Sequence, residues 1–275
     1  MINKILRRLT YEYRKRDYKK QKLLIDNKYN NKDILQSEIN EYKLLILPKT
    51  SIGKQILINN SFEKEDTQYL KSIIKSDWNI VDIGANIGYY TMLFAKYAKD
   101  GNIYAIEPID YHGNMIKLSA WMNGFNNIHL YPNIVSDKEK EFDFCISEDG
   151  AFSSILDTNR VKIERKVKVK SLVLDRFIDE IKKDIDFLKI DAEGAEKLIL
   201  NGAIESLRNG KIKRVMIEMY DLNFKPYNTS CEEIDRIFKS FGYESYFIEN
   251  NKKIGYSSQF ANRSLNVFYK IRGIS

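Results

Sequence analysis

Short runs of continuously apolar residues, separated by stretches of helical periodicity, limit this chain to few folds. The runs cover 80–83, 103–106, 128–135, 187–190 and 215–219, and helical spacing fills roughly 88–99, 111–123, 194–207 and 231–241. A strand without polar alternation is buried on both faces, and parallel strands with helical crossovers bury both faces. Residues 243–248 and 265–271 supply two more strands. The expected fold is α/β: a doubly wound, mostly parallel seven-stranded sheet. Lys166, Lys168 and Lys170 alternate with Val167 and Val169, the period of a half-exposed strand, and with 142–146 they predict an antiparallel excursion. Residues 1–75 read as helical, interrupted near Leu47 and Pro48. The expected organisation is an N-terminal helical extension over 1–50 and one catalytic domain over 51–275.

Charge separates the same two parts. Residues 1–25 carry nine basic and two acidic side chains, whereas the other 250 residues balance at 36 of each. The basic pI therefore belongs to the tail. Apolar residues at 2, 5, 6, 9 and 13 make that tail an amphipathic helix. Its expected partners, in order, are the body or a second subunit of a homodimer, then an anionic membrane surface, then nucleic acid. No stretch approaches the ~20 apolar residues of a membrane span, and the first residues lack a secretory apolar region. Cys145 and Cys231 form neither a disulfide framework nor a zinc spacing. The expected compartment is the cytoplasm, with the inner membrane surface as the tail's second reading.

The segment 78–94, WNIVDIGANIGYYTMLF, runs from strand through a glycine turn into a helix. Gly84 and Gly88 let the backbone take positive φ and approach a ligand closely. A dinucleotide fingerprint places a glycine where this chain has Asn86, which disfavours a pyrophosphate. Glu107 ends the next strand 23 residues beyond Gly84, where a carboxylate accepts hydrogen bonds from ribose hydroxyls. A nucleoside without pyrophosphate is the implied ligand, and S-adenosylmethionine fits. Asp82 is then the acceptor for its α-ammonium group.

A second segment, DFLKIDAEGAE over 186–196, ends a buried strand at Asp191, with Glu193 two positions on. Both carboxylates are expected to face the acceptor, since ligands in such sheets lie outside the carboxyl ends of the strands. Glu196 is expected only to complement a helix N-terminus.

The motifs VDIGANIGYYT (81–91), YAIEP (104–108), IVSD (134–137), LKIDAEGAE (188–196) with LILNGA (198–203), and VMIE (215–218) together resemble the FkbM-type methyltransferases over roughly 50–220. That resemblance implies a Rossmann-like fold, S-adenosylmethionine as methyl donor, and O-methyl transfer, often to sugars of polyketides, glycolipids or surface glycans. It marks Asp82, Gly84, Ala85, Asn86, Gly88, Tyr89, Glu107 and Pro108 as cofactor contacts, with Ser136 or Asp137 near the adenine. Asp191 and Glu193 fall in the family's K-x-D-x-E-G signature, which begins at Lys189. The stretch 150–156, GAFSSIL, resembles an acceptor-side segment.

A sugar hydroxyl needs a general base at neutral pH. His129 starts a strand and His112 follows Glu107 near the adenosine, so Asp191 and Glu193 are the expected bases, with Lys189 and Glu218 supporting them. Mg²⁺ ranks below direct base catalysis because no further acid cluster is evident, and no metal is expected. The competing readings are an RNA methyltransferase using the basic tail, an NAD-dependent enzyme, and a non-catalytic Rossmann scaffold.

Overall fold

The computed structural model describes residues 34–157 and 160–274; the basic segment 1–25 lies outside them. The chain enters as a hairpin, β1 (Leu35–Ile39) and β2 (Tyr42–Ile46), paired antiparallel. This corrects the helical reading of the first 75 residues over 35–46; residues 1–33 lie outside the described ones. The turn uses Asn40 and Glu41, both at positive φ, the geometry of a tight hairpin turn. Helices α1 (Ser51–Asn59) and α2 (Lys64–Ile73) follow. Thr50 caps α1 by accepting from the Gly53 amide at 3.1 Å.

Next come β3 (Ile80–Ile83), α3 (Tyr89–Tyr97), β4 (Ile103–Ile106), α4 (Asp110–Asn123) and β5 (Ile128–Tyr131). The expected long run 128–135 is broken, because Pro132 cannot continue a ladder. Its remainder is β6 (Ile134–Val135), which joins β7 (Glu141–Ser147) and β8 (Ile163–Leu172) in a separate three-stranded sheet. β7 and β8 are the anticipated antiparallel pair. The chain continues through α5 (Leu174–Ile181), β9 (Phe187–Ile190), α6 (Glu196–Asn201), α7 (Ile204–Arg208) and β10 (Arg214–Met219). The helix expected over 194–207 is thus two helices, parted at Gly202 and Ala203. Last are α8 (Asp221–Phe224), α9 (Cys231–Ser240), β11 (Tyr243–Glu249), β12 (Lys252–Gly255) and β13 (Leu265–Ile271).

The main sheet has eight strands, in the order β12-β11-β13-β10-β9-β3-β4-β5. β10, β9, β3, β4 and β5 run parallel, and β13 is antiparallel to both β10 and β11. The eighth strand, absent from the expected seven, is β12. It returns antiparallel on β11 through Asn250 and Asn251, both left-handed.

Alternation along β3 fills two cores. Ile80 packs with Ile103, Phe187 and Phe268 beneath α3 and the hairpin, while Val81 and Ile83 pack with Ile106, Leu188 and Ile217 on the other face. The hairpin belongs to the first core: Ile39, Tyr42, Leu44 and Ile46 are fully buried. Its β2 edge is tied to α4 by Lys43 N–H to Asn123 at 2.7 Å and Leu45 N–H to Ser119 at 3.1 Å.

The carboxyl ends of the central strands are in register. The Gly84 amide donates to the Ile106 carbonyl at 3.0 Å, and the Asp191 amide to the Ile83 carbonyl at 3.2 Å. The glycine turn, Glu107 and Asp191 therefore emerge side by side at one edge. Among the described residues, no helix is long and apolar enough to cross a membrane.

Candidate functional site

The turn after β3 is held by its own atoms. Gly84 has φ +72°, and a Cβ there would lie 1.9 Å from the Asp191 carbonyl oxygen, so β3 and β9 can approach this closely only at a glycine. Asn86 has φ +49°. Its side-chain oxygen accepts from the Ile87 amide at 2.7 Å, which is how asparagine stabilises a left-handed position. Gly88, at φ +88°, opens α3.

Glu107 locks onto this turn. Its Oε2 accepts from the Asn86 amide at 2.8 Å and its Oε1 from the Ile109 amide at 2.9 Å. A carboxylate has about four acceptor positions, so each oxygen keeps one for a ligand. The histidine expected beside it, His112, lies buried with Nδ1 3.5 Å from Glu107 Oε1.

Gly84, Asn86, Glu107 and Pro108 line one end of a cavity whose apolar walls include Ile83, Ile106, Ile134, Val135 and Ile199. A ribose acceptor, close backbone and apolar walls suit an adenosine. The remaining expected cofactor residues do not line it. Asp82 is fully buried behind the turn, with Oδ2 accepting from Thr91 at 2.6 Å and Oδ1 facing Lys189 Nζ at 3.8 Å. Ala85 and Gly88 serve the turn's packing. The Tyr89 hydroxyl points to the N-terminal segment, accepting from Asn40 at 2.8 Å and lying 3.0 Å from Ser61. Ser136 is buried and donates to Asp137 at 3.1 Å; Asn133, Ile134 and Val135 take their expected place on the wall.

The other end of the cavity gathers acids. Asp191 and Glu193 line it as expected, joined by Glu63 and Glu218. Lys189 Nζ pairs with Asp191 Oδ2 at 3.1 Å; the lysine is buried behind the wall rather than on it. Although burial opposes its charge, Asp191, Asp82 and Glu63 hold the Lys189 ammonium above its ordinary pKa. Arg160 Nη1 pairs with Glu193 Oε2 and donates to Asn223 Oδ1, both at 2.6 Å. Asn223 in turn donates to Glu218 Oε2 at 3.0 Å, and Ser264 to Oε1 at 2.7 Å. Burial, Asp191 and Glu218 raise the Glu193 pKa against the pull of Arg160. Burial and Asp191 likewise raise Glu218.

Asp191, Glu193 and Glu218 offer oxygens within 4.8 Å of one another. The acid cluster that seemed missing from the sequence is therefore formed when β10 brings Glu218 beside β9. Glu196, expected only to complement a helix N-terminus, is instead fully buried, with Oε1 accepting from the Ala192 amide of the loop before α6 at 3.0 Å.

Four contributors had escaped the sequence reading. Glu63 enters from the turn before α2, Arg160 from the segment before β8, and Ser264 and Asn266 from the start of β13. None carries a local motif. The stretch 150–156 does reach the cavity, through Gly150, Ala151, Phe152, Ser153 and Ile155.

Among known families, the model of the methyltransferase FkbM domain matches residues 82–245, more than half of the chain. Solved structures of similar fold include a methyltransferase FkbM from Methylobacillus flagellatus KT, with 14% identity and a TM-score of 0.45 over 71% of this chain; the chain spans 44% of that one. Another is M. jannaschii TYW2 in complex with AdoMet, with 16% identity and a TM-score of 0.46 over 88% of this chain and 86% of that one. No curated protein matches the chain.

Proposed function

The chain belongs to the FkbM methyltransferase family, whose methyl donor is S-adenosylmethionine, and on that footing we propose that it methylates a hydroxyl of a neutral, polyhydroxylated acceptor: a sugar of a glycan, glycolipid or glycosylated metabolite. One observation carries this reading. Among the described residues the cavity wall holds five carboxyl side chains, Glu63, Glu107, Asp191, Glu193 and Glu218, and no lysine, arginine or histidine. Such a wall presents no cation of its own to a phosphodiester backbone, which proteins bind with cations. Carboxylates, Ser264 and Asn266 are acceptors and donors suited to sugar hydroxyls.

In this reading Glu107 holds the ribose, and the backbone of Gly84 and Asn86 lies against the nucleoside. The bound donor supplies an electrophilic methyl group. The protein's contribution is alignment, worth ~7–11 kcal/mol in favourable cases, and a base. Asp191 and Glu193 each engage one oxygen with a cation, leaving Asp191 Oδ1 and Glu193 Oε1 to orient the acceptor hydroxyl and take its proton. The apolar walls exclude water from competing for the methyl group.

The test supplies the full chain with labelled S-adenosylmethionine and, separately, methyl hexosides, rhamnosides and an RNA transcript. Alkali-stable label on a sugar supports the reading. Label on the RNA alone, or on none of the sugars, contradicts it.

A further inference from the structure

The cofactor half of the cavity falls inside the matched family domain, but part of the opposite half does not. Glu63 precedes residue 82, where that domain begins, and reaches the wall from the turn between α1 and α2. Its backbone is left-handed, φ +42° and ψ +66°, at the N-cap of α2. Its carboxyl is fixed by the Tyr90 hydroxyl, which donates to Oε2 at 2.5 Å. Tyr90 is buried and lies two residues after Gly88, so Glu63 is anchored to the helix that leaves the cofactor turn. Lys189 Nζ lies 5.3 Å from the centre of the Tyr90 ring, on its way to Asp191.

The two cations behind the wall are already engaged. Lys189 pairs with Asp191 and faces Asp82; Arg160 pairs with Glu193. Glu63 is left with a neutral donor, Tyr90. The groups around it are Lys64, Glu65 and Asp66 from α2, Tyr90 from α3, Lys189 and Asp191 at the end of β9, and Glu218 from β10. A groove bounded by Glu63, Asp66, Glu218, Ser264 and Asn266 continues the cavity outward.

A carboxyl whose hydrogen-bond partner is a neutral hydroxyl, and which lies beside further acids, attracts a cation. The two nucleoside forms that alternate in this site differ in this respect: the donor is a sulfonium, the demethylated product a neutral thioether. We propose that Glu63 is a specificity-determining residue that favours the positively charged methyl donor over its neutral product, so that loss of the charge on transfer promotes product release. This rests on the cofactor reading of the cavity.

Burial, together with Asp66 and Asp191, raises the Glu63 carboxyl to about 8 despite the Tyr90 hydrogen bond. Near neutral pH much of it carries a proton in the empty site. An arriving sulfonium favours the ionised form and expels that proton; a thioether does not.

Calorimetry on the full chain tests this without any acceptor. S-adenosylmethionine and S-adenosylhomocysteine are titrated at pH 7.5 in phosphate and in Tris, whose ionisation enthalpies differ. Proton release with the first ligand and little with the second is expected. Glu63→Gln keeps an oxygen for the Tyr90 hydroxyl. It should weaken the sulfonium ligand about tenfold, leave the thioether within about twofold, and abolish the difference in proton release. Equal proton release by both ligands in the wild-type protein, or an equal loss of affinity for both in the variant, overturns the proposal while sparing the cofactor reading. Failure of both ligands to bind the wild-type protein overturns the two together. The wild-type comparison needs no variant, so a misfolded Glu63→Gln protein does not protect the proposal.

Discussion

The Asn86 amide donates to Glu107 Oε2 at 2.8 Å. Two strand ends separated by a whole crossover thus share one carboxylate, which stiffens the turn and faces the cavity. Ligand grip and turn geometry are coupled there, so changes at the turn should register in both stability and cofactor affinity.

Gly84→Ala tests the turn. The new methyl would stand 1.9 Å from a backbone oxygen at a position with φ +72°, and left-handed backbone alone costs ~1–2 kcal/mol for a residue with a Cβ. We expect more than about 2 kcal/mol lost in urea unfolding, together with loss of S-adenosylhomocysteine binding.

Lys189 supports the wall from behind. Lys189→Ala leaves Asp82 fully buried without its cation, and breaking a buried pair typically costs about 3–5 kcal/mol. The double variant Asp82→Asn, Lys189→Met should recover part of that loss, because removing both charges removes the orphan. A double variant less stable than Lys189→Ala alone would show that the pair matters for something other than charge.

The two expected bases can be separated from a metal role. Asp191→Asn and Glu193→Gln should bind S-adenosylhomocysteine normally yet lose about 100-fold or more in turnover. Since Lys189 and Arg160 already engage these carboxylates, turnover in EDTA should equal that without it. Loss in EDTA restored by Mg²⁺ would assign Asp191, Glu193 and Glu218 to a cation instead.

Glu196 gives a pH signature. It is fully buried, Oε2 has no hydrogen-bond partner among the described residues, and burial raises its pKa from 4.5 to about 8. Between those values the native state holds a proton that the unfolded chain releases. The associated stability is complete below pH 4.5 and is lost as pH climbs through about 8. Glu196→Gln cannot ionise and keeps an acceptor for the Ala192 amide. Its urea midpoint should fall less than the wild-type one between pH 6 and 8.5; identical slopes would contradict the assignment.

The central sheet was legible because its strands are buried on both faces and read as uninterrupted apolar runs. The cofactor turn was legible because strand, glycines and helix are contiguous in sequence. The β1–β2 hairpin was not: Asn40 and Glu41 lack the glycine that usually marks such a turn, and LQSEI alternates weakly. The short β12 was missed although Asn250 and Asn251 are a readable turn signal. At the site, Asp191 and Glu193 stood out as acids at the end of an apolar strand. Glu63 and Ser264 are ordinary polar residues locally, and only long-range packing brings them to the wall, as it brings Arg160 to Glu193. Asp82 shows the converse: an acid at a strand end can point inward, because alternation along β3 puts it on the Ile80 face with Lys189.

Glu107 is the ribose acceptor of the proposed cofactor site, and calorimetry of Glu107→Ala with S-adenosylhomocysteine tests that role. Two hydrogen bonds to a charged group, at about 1.5–3 kcal/mol each, predict at least a ~100-fold loss of affinity, with thermal unfolding recorded alongside to show that the variant is folded. A folded variant that binds within about threefold of the wild-type protein would contradict the account.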